Sequence, residues 1–290
     1  MSRPLPHPDA LLRPFLKWAG GKTRVVPHIR AALEGVAGDR LVEPFVGSGA
    51  VFLNLPRFRQ LLLADANADL IAVYRHVLAD PDGFLAEARA VFTPIHNSRD
   101  AYLGLRAEFN GLPVGEVARA ARFLYLNRHG FNGLCRYNGS GGFNVPFGRY
   151  AGPKLPEAEI RTIHRRLAEA ERVDLLHVDF RTVFAEHLRV GDVVYADPPY
   201  VPLSATASFT AYARQGFGAA DQQALADAAR EAALRRIPVL LSNHDLPSVR
   251  ALYAGASVTS FPVRRTISRD PATRRGVAEV LATFPADPPP

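Results

Sequence analysis

A chain of 290 residues with 48% hydrophobic content is long enough to bury a large core, either as one α/β domain or as a domain carrying a sizeable insertion. A single cysteine, Cys135, excludes an internal disulfide framework and a multi-cysteine zinc site. No apolar run reaches membrane-helix length, and a net charge of +7 favours a polyanionic partner.

The N-terminus, with Pro4, Pro6, His7, Pro8 and Asp9, lacks a signal-peptide core and reads as a loose tail of a cytoplasmic protein. Phe15 to Lys22 reads FLKWAGGK, in which Gly20 and Gly21 permit close approach of backbone to a ligand. Lys17 and Lys22 are two of only three lysines, so a compact ammonium is wanted in this motif. A helix follows over about Thr23 to Leu33. Leu41 to Phe45 is a short strand, and Gly47, Ser48 and Gly49 then turn into the helical Val51 to Leu55. Strand, glycine turn and helix form the first unit of a nucleotide-binding βαβ, but two glycines where the dinucleotide fingerprint has three favour a smaller nucleoside ligand. Leu61 to Ala64 forms a second strand ending at Asp65, where such folds bond ribose hydroxyls, and Asp69 reads as the cap of the next helix.

That helix stops before Pro81, and strand rhythm is then absent until about Val173, as an inserted domain would require. Ala101 to Phe109 and Val117 to Leu126 read as helices. Asn127 to Arg149, by contrast, interleaves Arg, Asn, Gly and aromatic residues with no period, and does not read as core. Arginine and asparagine donate to phosphates and base edges, and aromatics wedge or stack. Glu157 to Arg172 is an amphipathic helix opened by Pro156, with Ile160, Ile163 and Leu167 on one face. Leu175 to Val178 is a strand that ends in Asp179 and Phe180.

The run Val193 to Ala196 reads as a buried parallel strand, followed by Asp197, Pro198, Pro199 and Tyr200. Two prolines cannot continue a ladder, and they fix a small turn from which Asp197 and Tyr200 both project. Tyr200 offers a face for stacking, while the Asp197 carboxylate and a proline-held carbonyl can accept both N–H bonds of an amine-bearing ring. A polar stretch from Leu203 to Phe217 reads as a lid, and a helix over about Ala219 to Arg236 leads to a strand at Pro238 to Leu241. His244, alone at a strand end, reads as a hydrogen-bonded structural residue. Val258 to Val263 and Val277 to Phe284 read as a hairpin around an arginine-bearing turn, and PADPPP reads as a disordered tail.

FLKWAGGK, LVEPFVGSG, FLYLNR, NGLCRYN, FNVPFGRY, DPPY with PLSATASFTAY, and SNHD, in that order over about Phe15 to Phe284, resemble the adenine-N6 DNA methyltransferases of the alpha group, the D12 class. The resemblance implies a Rossmann-like S-adenosylmethionine-dependent methyltransferase sheet with helices on both faces. Residues 1–69 and 157–284 would form the catalytic domain, 70–156 an inserted and mainly helical target-recognition domain, and 285–290 a tail. It implies S-adenosyl-L-methionine as donor, released as S-adenosyl-L-homocysteine. Trp18 and Lys22 would lie at its methionine end and Asp65 at its ribose, with Asp179 and Phe180 against its adenine and Phe45, Gly47, Gly49 and Asp197 also in contact. Asp197, Pro198, Pro199 and Tyr200 would hold a flipped-out adenine for N6 methylation. The site read in duplex DNA would be GATC, with Arg136 on the guanine of the second half-site, Leu134 and Pro146 at the thymine, and Lys17 at the outer guanine. Arg106, Arg128, Asn138, Asn144 and Arg149 would hold phosphates, with Asn132 and Tyr150 close to the bases. Phe131 stands where the family has a tyrosine wedge, which keeps stacking but loses a hydroxyl. Ala151 replaces a lysine, which removes one phosphate contact.

An exocyclic adenine amine is a poor nucleophile because its lone pair is delocalised into the ring. Acceptors for both N–H groups push charge toward nitrogen as it attacks, so Asp197 reads as an electrostatic stabiliser more than a general base. No metal is required, and a monomer is expected. The rival readings are a methyltransferase acting on RNA or on a protein amide, and a catalytically inactive DNA-binding regulator on the same fold.

Overall fold

The computed structural model describes residues 11–202, 217–263 and 277–286. The N-terminal tail, the lid apart from Phe217, the arginine-bearing turn and most of the C-terminal tail therefore lie outside the described residues. The chain forms two compact units, one of Met1–Arg30, Gly47–Arg59 and Asn67–His177, the other of Ala31–Val46, Gln60–Ala66 and Val178–Pro290. Among the described residues no helix is long and apolar enough to cross a membrane.

The second unit holds six strands of a seven-stranded mixed sheet: β1 (Arg40–Glu43), β2 (Gln60–Asp65), β4 (Asp192–Ala196), β5 (Val239–His244), β6 (Ser257–Val263) and β7 (Val277–Phe284). They lie in the order β2-β1-β4-β5-β7-β6. The first four are parallel, and β7 pairs antiparallel with both β5 and β6. β1, β4 and β5 are buried along their whole length, as strands covered on both faces must be. β1 is followed in the chain by β2 on one side, while β4 lies on its other side. The loops leaving β1 and β4 therefore diverge at a topological switch point, where open α/β sheets hold ligands.

At the opposite end of these strands the register sets Arg40 against Asp192. Both are buried, and the guanidinium forks onto the carboxylate at 2.7 and 2.8 Å. Arg40 also donates to the His187 carbonyl, and the Arg189 amide donates to Asp192. The charges are thus paired and their remaining bonding capacity is largely used, which is the condition for burying an ion pair.

The first unit is helical, with Ala68–Ala79, Pro81–Val91, Arg99–Gly111, Val117–His129 and Glu157–Ala168, and with β3 (Arg172–His177) at its end. Val117–His129 is its central helix and packs on the three helices before it. The helix Pro81–Val91 is absent from the sequence reading. Its signals are Asp80, whose side chain caps the Gly83 amide, Pro81 in the first turn, and a buried stripe of Phe84, Leu85, Ala88 and Val91. Helix Ala68–Ala79 is capped by Asn67, whose side chain accepts from the Leu70 amide, and not by Asp69. Asp69 is buried and takes two bonds from Arg119, at 2.6 and 3.1 Å, and one from the Tyr137 hydroxyl at 2.6 Å. The segment after His129 also departs from expectation, because Phe143 and Val145 are fully buried and give it a small core of its own.

Removing the carboxylate in Asp192→Ala strands a buried guanidinium and should cost about 3–5 kcal/mol. Urea unfolding measures this, with the exposed pair partner Glu171→Ala as a control expected to change stability by less than about 1 kcal/mol.

Candidate functional site

The DPPY turn begins where β4 ends. Asp197 is half-buried, and its Oδ1 accepts from Ser242 Oγ at 2.7 Å. The Tyr200 hydroxyl donates to Glu279 Oε2 on β7 at 3.0 Å, and the His244 ring meets the Tyr200 ring edge-on at 4.8 Å. Burial first, and the Asp197 charge second, push the Tyr200 phenol well above its ordinary pKa, so it remains a neutral donor. Proline supplies no amide hydrogen, and the backbone here is secured by side chains. Gln222 Nε2 donates to the Pro199 carbonyl at 2.7 Å, and the Val201 amide donates to Asn243 Oδ1 at 3.1 Å. Asn243 is fully buried and donates in turn to Gln222 Oε1 and to the Tyr253 hydroxyl. His244 Nδ1 bonds the Val201 carbonyl at 2.7 Å, in line with the structural reading of this histidine. Ser242, Asn243, Gln222 and Glu279 had no assigned role in the sequence reading. The signal for Glu279 was available, since it is a lone acid in an otherwise apolar strand.

In the same unit, Phe45 follows β1 and stacks on Phe180 with centroids 5.4 Å apart, while Phe217 meets both rings. Phe180 is buried at 2% exposure, so the half-buried Phe45 is the more accessible of the two faces. Asp179 is exposed and caps the turn that follows by accepting from the Arg181 amide. Asp65 stands half-buried at the carboxyl end of β2.

In the first unit, Gly47 and Gly49 both take positive φ, at 48° and 78°. A Cβ on Gly47 would lie 2.8 Å from Trp18 Nε1, so the indole rests directly on the glycine turn, whose carbonyl at Gly47 accepts from the Tyr74 hydroxyl. Lys22 is buried and its Nζ donates to the Gly20 carbonyl.

Lys17, Arg128, Tyr150 and Asn132 come together in this unit. Lys17 Nζ lies 3.8 Å over the Tyr150 ring and donates to the Arg128 carbonyl at 2.9 Å. The Tyr150 hydroxyl accepts from the Asn132 amide. Burial first, and the neighbouring Arg128 second, lower the Lys17 pKa; burial lowers that of Arg128 as well. The nearby Glu159 carboxylate opposes the effect of burial on Arg128. Asn127, which the sequence reading did not single out, is buried and binds both the amide and the carbonyl of Lys17.

Arg136 is held by Asn144 through Nε to Oδ1 at 2.6 Å and Nη2 to the carbonyl at 3.0 Å. Arg106 donates to the Val145 carbonyl. Asn138 Oδ1 accepts from the Ser140 amide and hydroxyl and from the Gly142 amide, closing its own turn. Phe131 is exposed at 41%, beside Asn132 at φ 55°. Arg149 is exposed at φ 54°, Pro146 is exposed, and Leu134 is half-buried.

Residues 18–267 match the family described as D12 class N6 adenine-specific DNA methyltransferase. The chain is 46% identical over 273 residues to the DNA adenine methylase of Vibrio cholerae, covering 94% of this chain and 96% of that protein. It is 46% identical over 280 residues to the DNA adenine methylase of Serratia marcescens, covering 94% and 98%. Against that of Escherichia coli K12 it is 45% identical over 272 residues, covering 94% and 95%.

Gly133, at φ 62°, would place an added Cβ 2.3 Å from Lys17 Cβ. Gly133→Ala should therefore cost about 1–3 kcal/mol in urea unfolding. Gly139→Ala, whose Cβ meets nothing within 4 Å, should be close to neutral in the same measurement.

Proposed function

Starting from the fact that the chain belongs to the D12 class of N6 adenine-specific DNA methyltransferases, we propose that it transfers the methyl group of S-adenosyl-L-methionine to adenine N6 within GATC in duplex DNA. The observation that carries this reading is the DPPY turn at the carboxyl end of β4, with Asp197 held by a hydrogen bond from β5 and Tyr200 by one to β7.

Asp197 accepts one N–H of the target adenine amine. A proline-held carbonyl of the turn accepts the other; that of Pro199 also accepts from Gln222. Tyr200 stacks on the flipped base. With both N–H bonds accepted, electron density shifts to the amine nitrogen as it forms the new N–C bond, and the proton on the resulting cation passes to solvent. The donor, when bound, supplies a methyl on a sulfonium that leaves as a neutral thioether. The half-buried aromatic face of Phe45 and the half-buried carboxylate of Asp65 at the end of β2 suit a nucleoside. Asp65 would bond the ribose, Asp179 and Phe180 would contact the donor's adenine, and Trp18 and Lys22 would serve the methionine end, beside Gly47 and Gly49. Alignment of amine and methyl supplies much of the barrier reduction.

Residues 70–156 act as the target-recognition region, and 1–69 with 157–284 as the catalytic part. Asn144 ties down one edge of Arg136, which leaves the outer end of its guanidinium to read guanine, while Lys17 reads the outer guanine and Leu134 and Pro146 line the thymine. Phe131 stacks in the space left by the flipped base, with Asn132 and Tyr150 near the bases. Arg106, Arg128, Asn138, Asn144 and Arg149 hold phosphates. The enzyme works as a monomer in the cytoplasm of a bacterial cell.

Methylation-sensitive sequencing of DNA treated with the purified protein should place N6-methyladenine in GATC; a mark on cytosine, or on adenine in an unrelated context, refutes the proposal. Arg136 and Arg149 should fail differently when removed. Arg136→Ala should raise methylation of sites altered at one position relative to GATC, by the roughly 1–3 kcal/mol that a bidentate guanine contact contributes. Arg149→Ala should weaken all sites alike and reduce the salt slope by about one. Initial rates on GATC and single-change duplexes at two salt concentrations test both, and identical specificity profiles would remove the base-reading role of Arg136.

A further inference from the structure

β4 and β5 run parallel in a register that pairs Tyr195 with Leu240 and Ala196 with Leu241. The next position sets Asp197 beside Ser242. Ser242 is fully buried in the middle of β5, following Leu240 and Leu241, at a site where alanine or valine would satisfy packing without a polar atom. Its hydroxyl has a single proton, which goes to Asp197 Oδ1 at 2.7 Å. The bond at 3.1 Å to the Tyr195 hydroxyl therefore runs the other way, with Tyr195 donating. Tyr195 is itself 1% exposed, and side chains two apart on a strand share a face. The result is a directed relay, from Tyr195 to Ser242 to the Asp197 carboxylate, lying along one face of the sheet.

The terminal torsion of an aspartate is broad, so packing alone leaves the carboxylate plane poorly defined. A donor fixed in a rigid strand removes that freedom. We infer that Ser242, backed by Tyr195, is a positioning residue for methyl transfer, which sets the plane of the Asp197 carboxylate before the adenine amine arrives. The inference rests on the proposed role of Asp197 at that amine. It assigns to Ser242 no contact with substrate or donor, and so predicts a loss in rate without a loss in binding.

The test is single-turnover methylation of a GATC duplex by the full chain, with donor and duplex dissociation constants measured alongside, for the parent, Ser242→Ala, Ser242→Thr, Tyr195→Phe and Asp197→Ala. Ser242→Ala should slow the single-turnover rate by about 10- to 100-fold, the range that small misplacement of a reacting group commands, with both dissociation constants near those of the parent. Ser242→Thr keeps the hydroxyl and should recover most of the rate, while Tyr195→Phe, which removes only the back of the relay, should lose less than Ser242→Ala. A Ser242→Ala rate within about threefold of the parent overturns the inference. So does Ser242→Thr as slow as Ser242→Ala, because the hydroxyl would then not be what matters. Parallel loss of donor binding, DNA binding and rate in Ser242→Ala also overturns it, in favour of a role in folding alone. Asp197→Ala separates the two levels: if it keeps the parent rate, the role of Asp197 itself is wrong, whereas if it is inactive beside a normal Ser242→Ala, only the relay is.

Discussion

Two consecutive prolines at the end of a central strand impose the constraint on which the rest of the second unit depends. Pro198 and Pro199 carry no amide hydrogen, so the chain leaving β4 cannot donate to a continued sheet ladder. Something else must hold it, because the turn lies among buried strands where an unanchored backbone is costly. The molecule answers with side chains from three directions: Ser242 and Asn243 on β5, Gln222 on the helix Ala219–Leu234, and Glu279 on β7. The polarity of this otherwise apolar end of the sheet follows. Asn243 has no exposure, and it is tolerated there because its side chain bonds Val201, His244, Gln222 and Tyr253.

The same parallel sheet is polarised along its length. At one end Arg40 and Asp192 neutralise each other and bind the surrounding backbone. At the other end carboxylates, hydroxyls and aromatic faces gather where β1 and β4 diverge. Parallel strands make this division natural, because all their carboxyl ends lie on one edge and the loops that follow can carry chemistry while the amino ends carry stability. The antiparallel β7 contributes from within its own length, through Glu279, and not through a loop.

In the first unit a buried carboxylate plays the anchoring part. Asp69 binds Arg119 from the central helix and Tyr137 from the segment rich in arginine, asparagine and glycine. Arg119 also donates to the carbonyls of Phe109 and Leu112, so one ion pair ties together three helices and that segment. Burial and the adjoining Cys135 and Asp69 hold the Tyr137 phenol neutral, which keeps it a donor. A segment without helical or strand period is thereby fixed in place by a few groups, chiefly the half-buried Tyr137 and the buried Phe143 and Val145, and its arginines are left at the surface or half-buried.

Local pattern was enough for the glycine turn after β1, for four of the five longer helices of the first unit, for the DPPY turn and for the strands other than β3, which begins at Arg172, where the helix expected over Glu157 to Arg172 has already ended at Ala168. Each of these is dictated by residues within a few positions of one another: a fully apolar run bounded by turn formers, glycines at positive φ, a stripe at helical spacing. Tyr200 and Asp197 were legible for the same reason. Their partners were not. Ser242 lies 45 positions from Asp197, Glu279 lies 79 from Tyr200, and Gln222 lies 23 from Pro199. Asp69 shows the difference most sharply, since by sequence it is as good a helix cap as its neighbour. Asn67 takes the cap because Arg119 and Tyr137, 50 and 68 positions away, need the carboxylate in the core. Phe143 and Val145 read as part of a surface loop and are buried all the same. What the sequence by itself determined was which groups the protein has to offer and on which elements they stand. Which buried polar groups would satisfy one another was decided only by the tertiary structure, because hydrogen bonding in a dry interior is settled by whatever the fold brings within 3 Å or so, and pattern along the chain carries no record of that.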